Sequence, residues 1–269
     1  MHEDGIDWDD AFLNAAYIPD GPSHFARWTA RAEAFRADRP PRRIAWGDGA
    51  RQAIELYEPQ GQSRGLAVFV HGGYWRQTAP SDWSFLAEGA LRAGWTVALP
   101  GYDLAPTVRL GEIARQVARA VATAADIVPG PIRLAGHSAG GHLVTRLLCP
   151  GLDLPDAVSA RIERAVSVSG LHDLRPLRLT SMNADLALDA EEARAESPAL
   201  QPRTHPAAVT AWVGARERPE FLRQAALLAE AWNTPAAPVP LVAEPDRHHF
   251  DVIEGLVSPD HPLCRAWCG

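Results

Sequence analysis

Pro131-Ile132-Arg133-Leu134-Ala135 runs into Gly136-His137-Ser138-Ala139-Gly140 and then into His142-Leu143-Val144-Thr145-Arg146-Leu147-Leu148. An apolar run of strand length is followed by a G-x-S-x-G pentapeptide and a helical pattern, so the serine sits where a strand turns into a helix. Glycines at both flanks let the backbone turn sharply enough to hold Ser138 in a strained conformation, with its hydroxyl exposed at the helix start. That is the context of a nucleophile elbow.

Outward from this turn the chain alternates. Upstream, residues 44–46 and 53–57 read as strands joined through Gly47-Asp48-Gly49, a hairpin signal. Residues 66–70 and 96–99 read as strands, and residues 82–93 and 113–127 as helices, after an amphipathic stretch over 25–35. Downstream, Ala165-Val166-Ser167-Val168-Ser169 and residues 209–213 and 239–242 read as strands, with a helix over 219–232. This order predicts an α/β fold with a mostly parallel central sheet, helices on both faces, and sites at the carboxyl ends of strands. Residues 171–206 break the pattern with arginines, a short acidic helix over 189–196 and Ser197-Pro198, and read as a cap or lid insertion. The expectation is one domain over residues 1–269.

A serine hydroxyl is a poor nucleophile at neutral pH and needs a histidine to take its proton and a carboxylate to orient that imidazole. On such a sheet these partners follow in the order serine, acid, histidine. Glu217 lies just after the strand ending Val213-Gly214, and His249 lies after the last strand. Of the adjacent pair His248 and His249, His249 directly precedes the helix start Phe250-Asp251-Val252-Ile253 and is the expected base. Asp173, after the strand that follows the elbow, is the competing acid; Asp246, beside Pro245, reads as a turn residue. His71-Gly72-Gly73-Tyr74-Trp75, at another strand end, matches an oxyanion loop. N–H groups of Gly73 and Tyr74, with Gly72 in the same loop and Ala139 after the serine, form the expected hole.

Composition narrows the remaining choices. Hydrophobic content of 46% and charged content of 22% are ordinary for a soluble globular chain, and a net charge of -7 gives no electrostatic case for nucleic acid or an anionic membrane. All 26 basic residues are arginine, which excludes Schiff-base chemistry, a serine-lysine dyad and a P-loop. Cys149, Cys264 and Cys268 have no zinc spacing, His137 and His142 are five residues apart with no H-E-x-x-H, and Ser138 stands where a dinucleotide fingerprint needs glycine. No metal or cofactor is expected, and the partner is a small-molecule substrate, with a homodimer left open. The acidic N-terminus lacks the order of a signal peptide, so the expected location is the cytoplasm.

HGGYW at 71–75, GHSAGGH at 136–142, Gly214-Ala215-Arg216-Glu217-Arg218-Pro219-Glu220-Phe221-Leu222-Arg223-Gln224 and His249-Phe250-Asp251-Val252-Ile253-Glu254 are found together with Tyr102-Asp103-Leu104-Ala105-Pro106 and Gly170-Leu171-His172-Asp173-Leu174. With these the chain resembles the α/β-hydrolase type of kynurenine formamidase, or arylformamidase, and its esterase and lipase relatives. The resemblance implies an α/β-hydrolase fold and hydrolysis of an N-formyl anilide such as N-formylkynurenine, with Ser138 as nucleophile, His249 as base and the acid at Glu217. That family usually has aspartate at the Glu217 position, although glutamate is known there in this fold. A formyl group is small and an aryl amine leaves readily, so a tight acyl pocket with an aromatic wall is expected, with Tyr74 and Trp75 as candidates for that wall, against core packing in a chain with nine tryptophans. Arg76, Arg175 and Arg178 are candidates to pair with a substrate carboxylate, against a solvated surface role. The same triad cleaves short-chain acyl esters, and the alternative from another class is a ligand-binding protein on the same scaffold.

Overall fold

A strand apolar on every residue, such as Leu66–Val70, needs cover on both faces, which only the middle of a sheet provides. The computed structural model describes residues 5–269 and places this run at the centre of an eight-stranded sheet. In chain order the strands are β1 (Arg42–Ala45), β2 (Ala53–Tyr57), β3 (Leu66–Val70), β4 (Thr96–Pro100), β5 (Ile132–His137), β6 (Ile162–Val168), β7 (Ala208–Gly214) and β8 (Leu241–Glu244). Their spatial order is β1-β2-β4-β3-β5-β6-β7-β8. The β1–β2 hairpin and the β2–β4 pair are antiparallel; all other neighbours are parallel. The alternating pattern therefore gives the expected α/β-hydrolase architecture.

Successive strand residues face opposite layers. Val68, Leu134 and Ala211 pack in one core with the helices Leu110–Ile127, Ala139–Arg146 and Pro219–Trp232. Phe69, Ala135 and Val166 pack in the other with Gly21–Asp38, Glu88–Arg92 and Pro262–Cys268. Within Leu110–Ile127, Ile113, Val117 and Val121 recur every four residues on one face and are all buried, each stabilising the layer by roughly 1.5–3 kcal/mol.

After β3 the chain crosses to β4 on one side, and after β4 it returns to β5 on the other. The loops leaving β3 and β5 therefore diverge, which opens a crevice at the carboxyl ends of the two central strands. Both motif loops, 71–75 and 136–142, leave the sheet there.

Several element bounds differ from their sequence patterns, as where β1 ends at Ala45 and β6 begins at Ile162, and two of the differences have a visible cause. The helix expected over 82–93 is a 3₁₀ turn, Pro80–Ala87, followed by a short α-helix, Glu88–Arg92. Side-chain bonds from Trp83 Nε1 to Thr78 Oγ1 and from Ser84 Oγ to the Ala32 carbonyl tie the first part to neighbouring segments. The last strand begins at Leu241, not 239, because Pro240 has no N–H to give the ladder, although its carbonyl accepts from Ala211 N. Residues 171–206 form four short helical turns, and Leu174, Leu177 and Leu186 anchor them in the first core.

Candidate active site

The elbow is the sharpest local constraint. Ser138 has φ 54° and ψ −119°, just before helix Ala139–Arg146, a conformation that costs an L-residue of order 1–3 kcal/mol. Its N–H donates to the Val168 carbonyl at 2.8 Å and its carbonyl accepts from His142 N at 3.1 Å, so both neighbouring segments hold it. Gly140 lies so close to the end of β3 that a Cβ there would fall 1.9 Å from the Val70 carbonyl oxygen. Gly72 lets the 71–75 loop approach in turn: its Cβ would meet Ser138 Cβ at 3.1 Å.

The 71–75 loop is clamped from below. Tyr102 OH donates to the His71 carbonyl at 2.9 Å, Thr78 Oγ1 donates to the Gly72 carbonyl at 2.9 Å, and the His71 ring stacks on Tyr102 at 4.3 Å. Burial lowers the pKa of His71 to about 4, so the ring is neutral. The N–H groups of Gly73, Tyr74 and Ala139 have no acceptor among the described residues; Gly73 and Tyr74 line the cavity with Ser138, and Ala139 follows the serine in the chain.

Glu217 and His249 meet beside the elbow. Glu217 Oε2 lies 2.6 Å from His249 Nδ1, while Oε1 accepts from Gly214 N at 2.8 Å and from Ser169 Oγ. The carboxylate is wholly buried and thus fixed by three donors. His249 is pinned in turn, because its carbonyl accepts from His137 Nε2 at 2.9 Å and its ring packs on Phe221 at 4.4 Å. Burial, then the nearby His249, pushes the pKa of His137 well below the ordinary histidine value, which keeps the donor neutral. Neither Ser138 Oγ nor His249 Nε2 has a hydrogen-bond partner among the described residues, and both residues line one cavity of about 640 Å³. That size suits a small-molecule ligand.

The competing groups lie elsewhere. Asp173 is held by Arg175, whose Nε and Nη2 both reach it at 2.9 Å, and by Arg223. Burial raises its pKa, but the bonds and charge of Arg175, aided by Arg223, outweigh this and hold it below the usual carboxylate range. Asp246 pairs with Arg216 at the surface. His248 Nδ1 faces Asp251 at 3.2 Å and does not reach Glu217.

Trp75 is not part of the cavity wall. It has no exposed surface, and its Nε1 donates to His142 Nδ1 at 3.2 Å beneath the elbow. Tyr74 and Trp75 both have positive φ, 50° and 56°, and the chain reverses so that Tyr74 faces the cavity while Trp75 turns into the core. Phe12, Phe25, Trp28, Trp83 and Phe250 supply the aromatic wall together with Tyr74, whose OH donates to the Phe12 carbonyl at 2.6 Å. From residues 171–206 only Ser181 and Met182 reach the cavity; its cover comes from residues 7–15 and the following helix. Arg76 pairs with Asp185 and Arg178 is exposed, and neither these nor Arg175 line the cavity.

The sequence-based reading also passed over Ser169. Its place at the end of the buried strand before Gly170 was the available signal; its contact with Glu217 was not.

The model of the alpha/beta hydrolase family matches residues 67–267. The chain belongs to the alpha/beta hydrolase family. Kynurenine formamidase of Salmo salar is 30% identical to this hydrolase over 232 residues, covering 82% of this chain and 79% of that protein. The same enzyme of Danio rerio is 29% identical over 231 residues, covering 82% and 78% respectively. These relatives bear out the formamidase resemblance carried by the motifs. A solved structure from Silicibacter sp. TM1040, described provisionally as a thioesterase, is 48% identical with a TM-score of 0.93, covering 98% of this hydrolase and 100% of that chain. Among the described residues, no helix is long and apolar enough to cross a membrane.

Proposed function

We propose that this hydrolase cleaves small aryl formamides of the N-formylkynurenine kind through a formyl-enzyme on Ser138. The observation that carries the reading is the wholly buried Glu217 carboxylate, 2.6 Å from His249 Nδ1, in a site where the elbow serine lines one cavity with Gly73 and Tyr74, whose N–H groups are unpaired among the described residues, as is that of Ala139 next to the serine. Glu217 holds the Nδ1–H tautomer, so Nε2 carries the lone pair that takes the Ser138 proton as Oγ attacks the formyl carbon. Negative charge then collects on the formyl oxygen, where the N–H groups of Gly73, Tyr74 and Ala139 stabilise it. Collapse of the tetrahedral adduct breaks the C–N bond, and the imidazolium returns the proton to the aryl amine as it leaves. Water, deprotonated by the same Nε2, attacks the formyl ester to give formate and free Ser138.

The aromatic wall suits a flat leaving group, and the curated relatives support the formamide substrate. A second reading, hydrolysis of short-chain esters or thioesters, is favoured by the 48% identical structure provisionally assigned to thioesterases. Comparison of kcat/KM on N-formylkynurenine, p-nitrophenyl acetate and an S-acetyl thioester separates them. The formamide is expected to lead, and a strong preference for either acetyl substrate would overturn that reading. A fluorophosphonate probe is expected to label Ser138.

A further inference from the structure

The charge of the cavity is one-sided. Asp7, Asp9 and Asp10 line it on the side of the N-terminal cover, and no arginine does; the chain has no lysine. Asp10 is neutralised by Arg218, whereas Asp7 and Asp9 are exposed and have no cationic partner among the described residues. Asp7 caps a short helix with one oxygen, accepting from Asp10 N at 3.1 Å, and Asp9 Oδ1 accepts from Ser181 N and Oγ at 2.7 and 2.8 Å. These bonds fix both carboxylates at the mouth while leaving each a second oxygen.

A second feature points to a ligand. Asn14 lines the same cavity and is 6% exposed, yet its carboxamide has no hydrogen-bond partner among the described residues. The body of this side chain is buried while its carboxamide opens on the cavity, so both amide groups are available to a ligand there. Arg216 and Arg218 line a second pocket of about 260 Å³ that shares Asn14 and His249, but Asp246 and Asp10 already neutralise them.

From this we infer that the cavity selects substrates whose leaving group carries an ammonium and no carboxylate, received by Asp7, Asp9 and the Asn14 carboxamide. The inference rests on the hydrolase reading above and moves its preferred substrate from the zwitterionic N-formylkynurenine to aryl formamides that carry an ammonium alone. Trp28, Phe25 and Phe250 line the same cavity, and an ammonium within about 6 Å over the face of such a ring is attracted by its quadrupole. A carboxylate entering the same space would meet two like charges with no counter-ion.

Three ortho-substituted formanilides test this with one reacting group: N-formylkynurenine, with ammonium and carboxylate; N-formylkynuramine, its decarboxylated analogue; and ortho-formamidopropiophenone, with neither charge. N-formylkynuramine is expected to exceed both others in kcat/KM by about tenfold at low salt, mostly through KM, an advantage that shrinks at high salt. In the Asp7→Asn, Asp9→Asn double variant, which keeps the cap acceptor and the Ser181 contacts, its lead over the neutral ketone is expected to fall towards one. Equal or better turnover of N-formylkynurenine, or an unchanged lead in the double variant, overturns the inference and leaves the formamidase reading standing. If all three formamides are inert while p-nitrophenyl acetate is cleaved, the formamidase reading falls. The charge selection is then decided by competitive inhibition with the deformylated amines: kynuramine binding more tightly than kynurenine supports it, and the reverse order overturns it.

Discussion

Replacing Glu217 by glutamine changes one oxygen for an NH₂ group in a space with no exposed surface, so the volume is kept and only the hydrogen-bond polarity changes. Oε1 currently accepts from Gly214 N and Ser169 Oγ, and Oε2 faces His249 Nδ1. The Gly214 N–H is fixed by the backbone, so the single carbonyl oxygen of glutamine must serve that side. The NH₂ group then faces Nδ1 and forces it to accept, which moves the imidazole proton to Nε2 and removes the lone pair that would take the Ser138 proton. The corresponding acid-to-amide change in a serine protease lowers kcat by about 10⁴, or roughly 5.5 kcal/mol of barrier, and a similar loss is expected here. The assay is kcat for Glu217→Gln at pH 7.5 beside Asp173→Asn, with thermal unfolding to establish that both variants fold. A folded Glu217→Gln enzyme within tenfold of the parent would refute the assignment of Glu217 as the orienting acid, and the same loss in Asp173→Asn would move that role.

Gly140→Ala drives a methyl group into the Val70 backbone and is expected to cost about 3 kcal/mol, read as a fall in Tm of roughly 6–12 °C; an unchanged Tm would mean that the close approach at the elbow is not needed. Ser169→Ala removes one of the donors to Glu217, worth about 1.5–3 kcal/mol when the acceptor is charged, and should lower kcat while sparing KM; equal effects on both would count against a role through the carboxylate. Acid should unfold the protein early, because burial lowers the pKa of His71 to about 4 and of His142 and His172 to about 3. The unfolded chain therefore takes up these protons first, and stability present above about pH 6.5 is lost as pH falls towards 4. Each histidine contributes a slope of about 1.4 kcal/mol per pH unit in that window, and a urea midpoint that stays flat from pH 7 to 5 would contradict it.

The central strands, the elbow and the order of Ser138, Glu217 and His249 could be read from the chain because each depends on local signals: apolar runs, glycines at fixed offsets and strand ends. Residues that owe their place to distant contacts could not. Phe12, Asn14 and Trp28 reach the cavity across the fold, and the amphipathic stretch over 25–35 announced a buried face without saying what it would cover. Of the two roles open to Trp75, wall or core, the sequence did not decide, because two consecutive left-handed residues reverse the alternation that an extended loop would give and turn it into the core. Residues 171–206 looked like a lid because they are irregular, yet their leucines are spent in the core.

The family match spans residues 67–267, while the acidic and aromatic cover comes largely from residues 7–28. Part of the cavity's cover, including all three of its aspartates, is thus encoded outside the length of chain that holds Ser138, Glu217 and His249. Mutations in the early segment can retune what is accepted without disturbing the reacting atoms, so such enzymes can diverge in diet while keeping one chemistry. Exchanging residues 7–28 between relatives would be a direct route to changing selectivity.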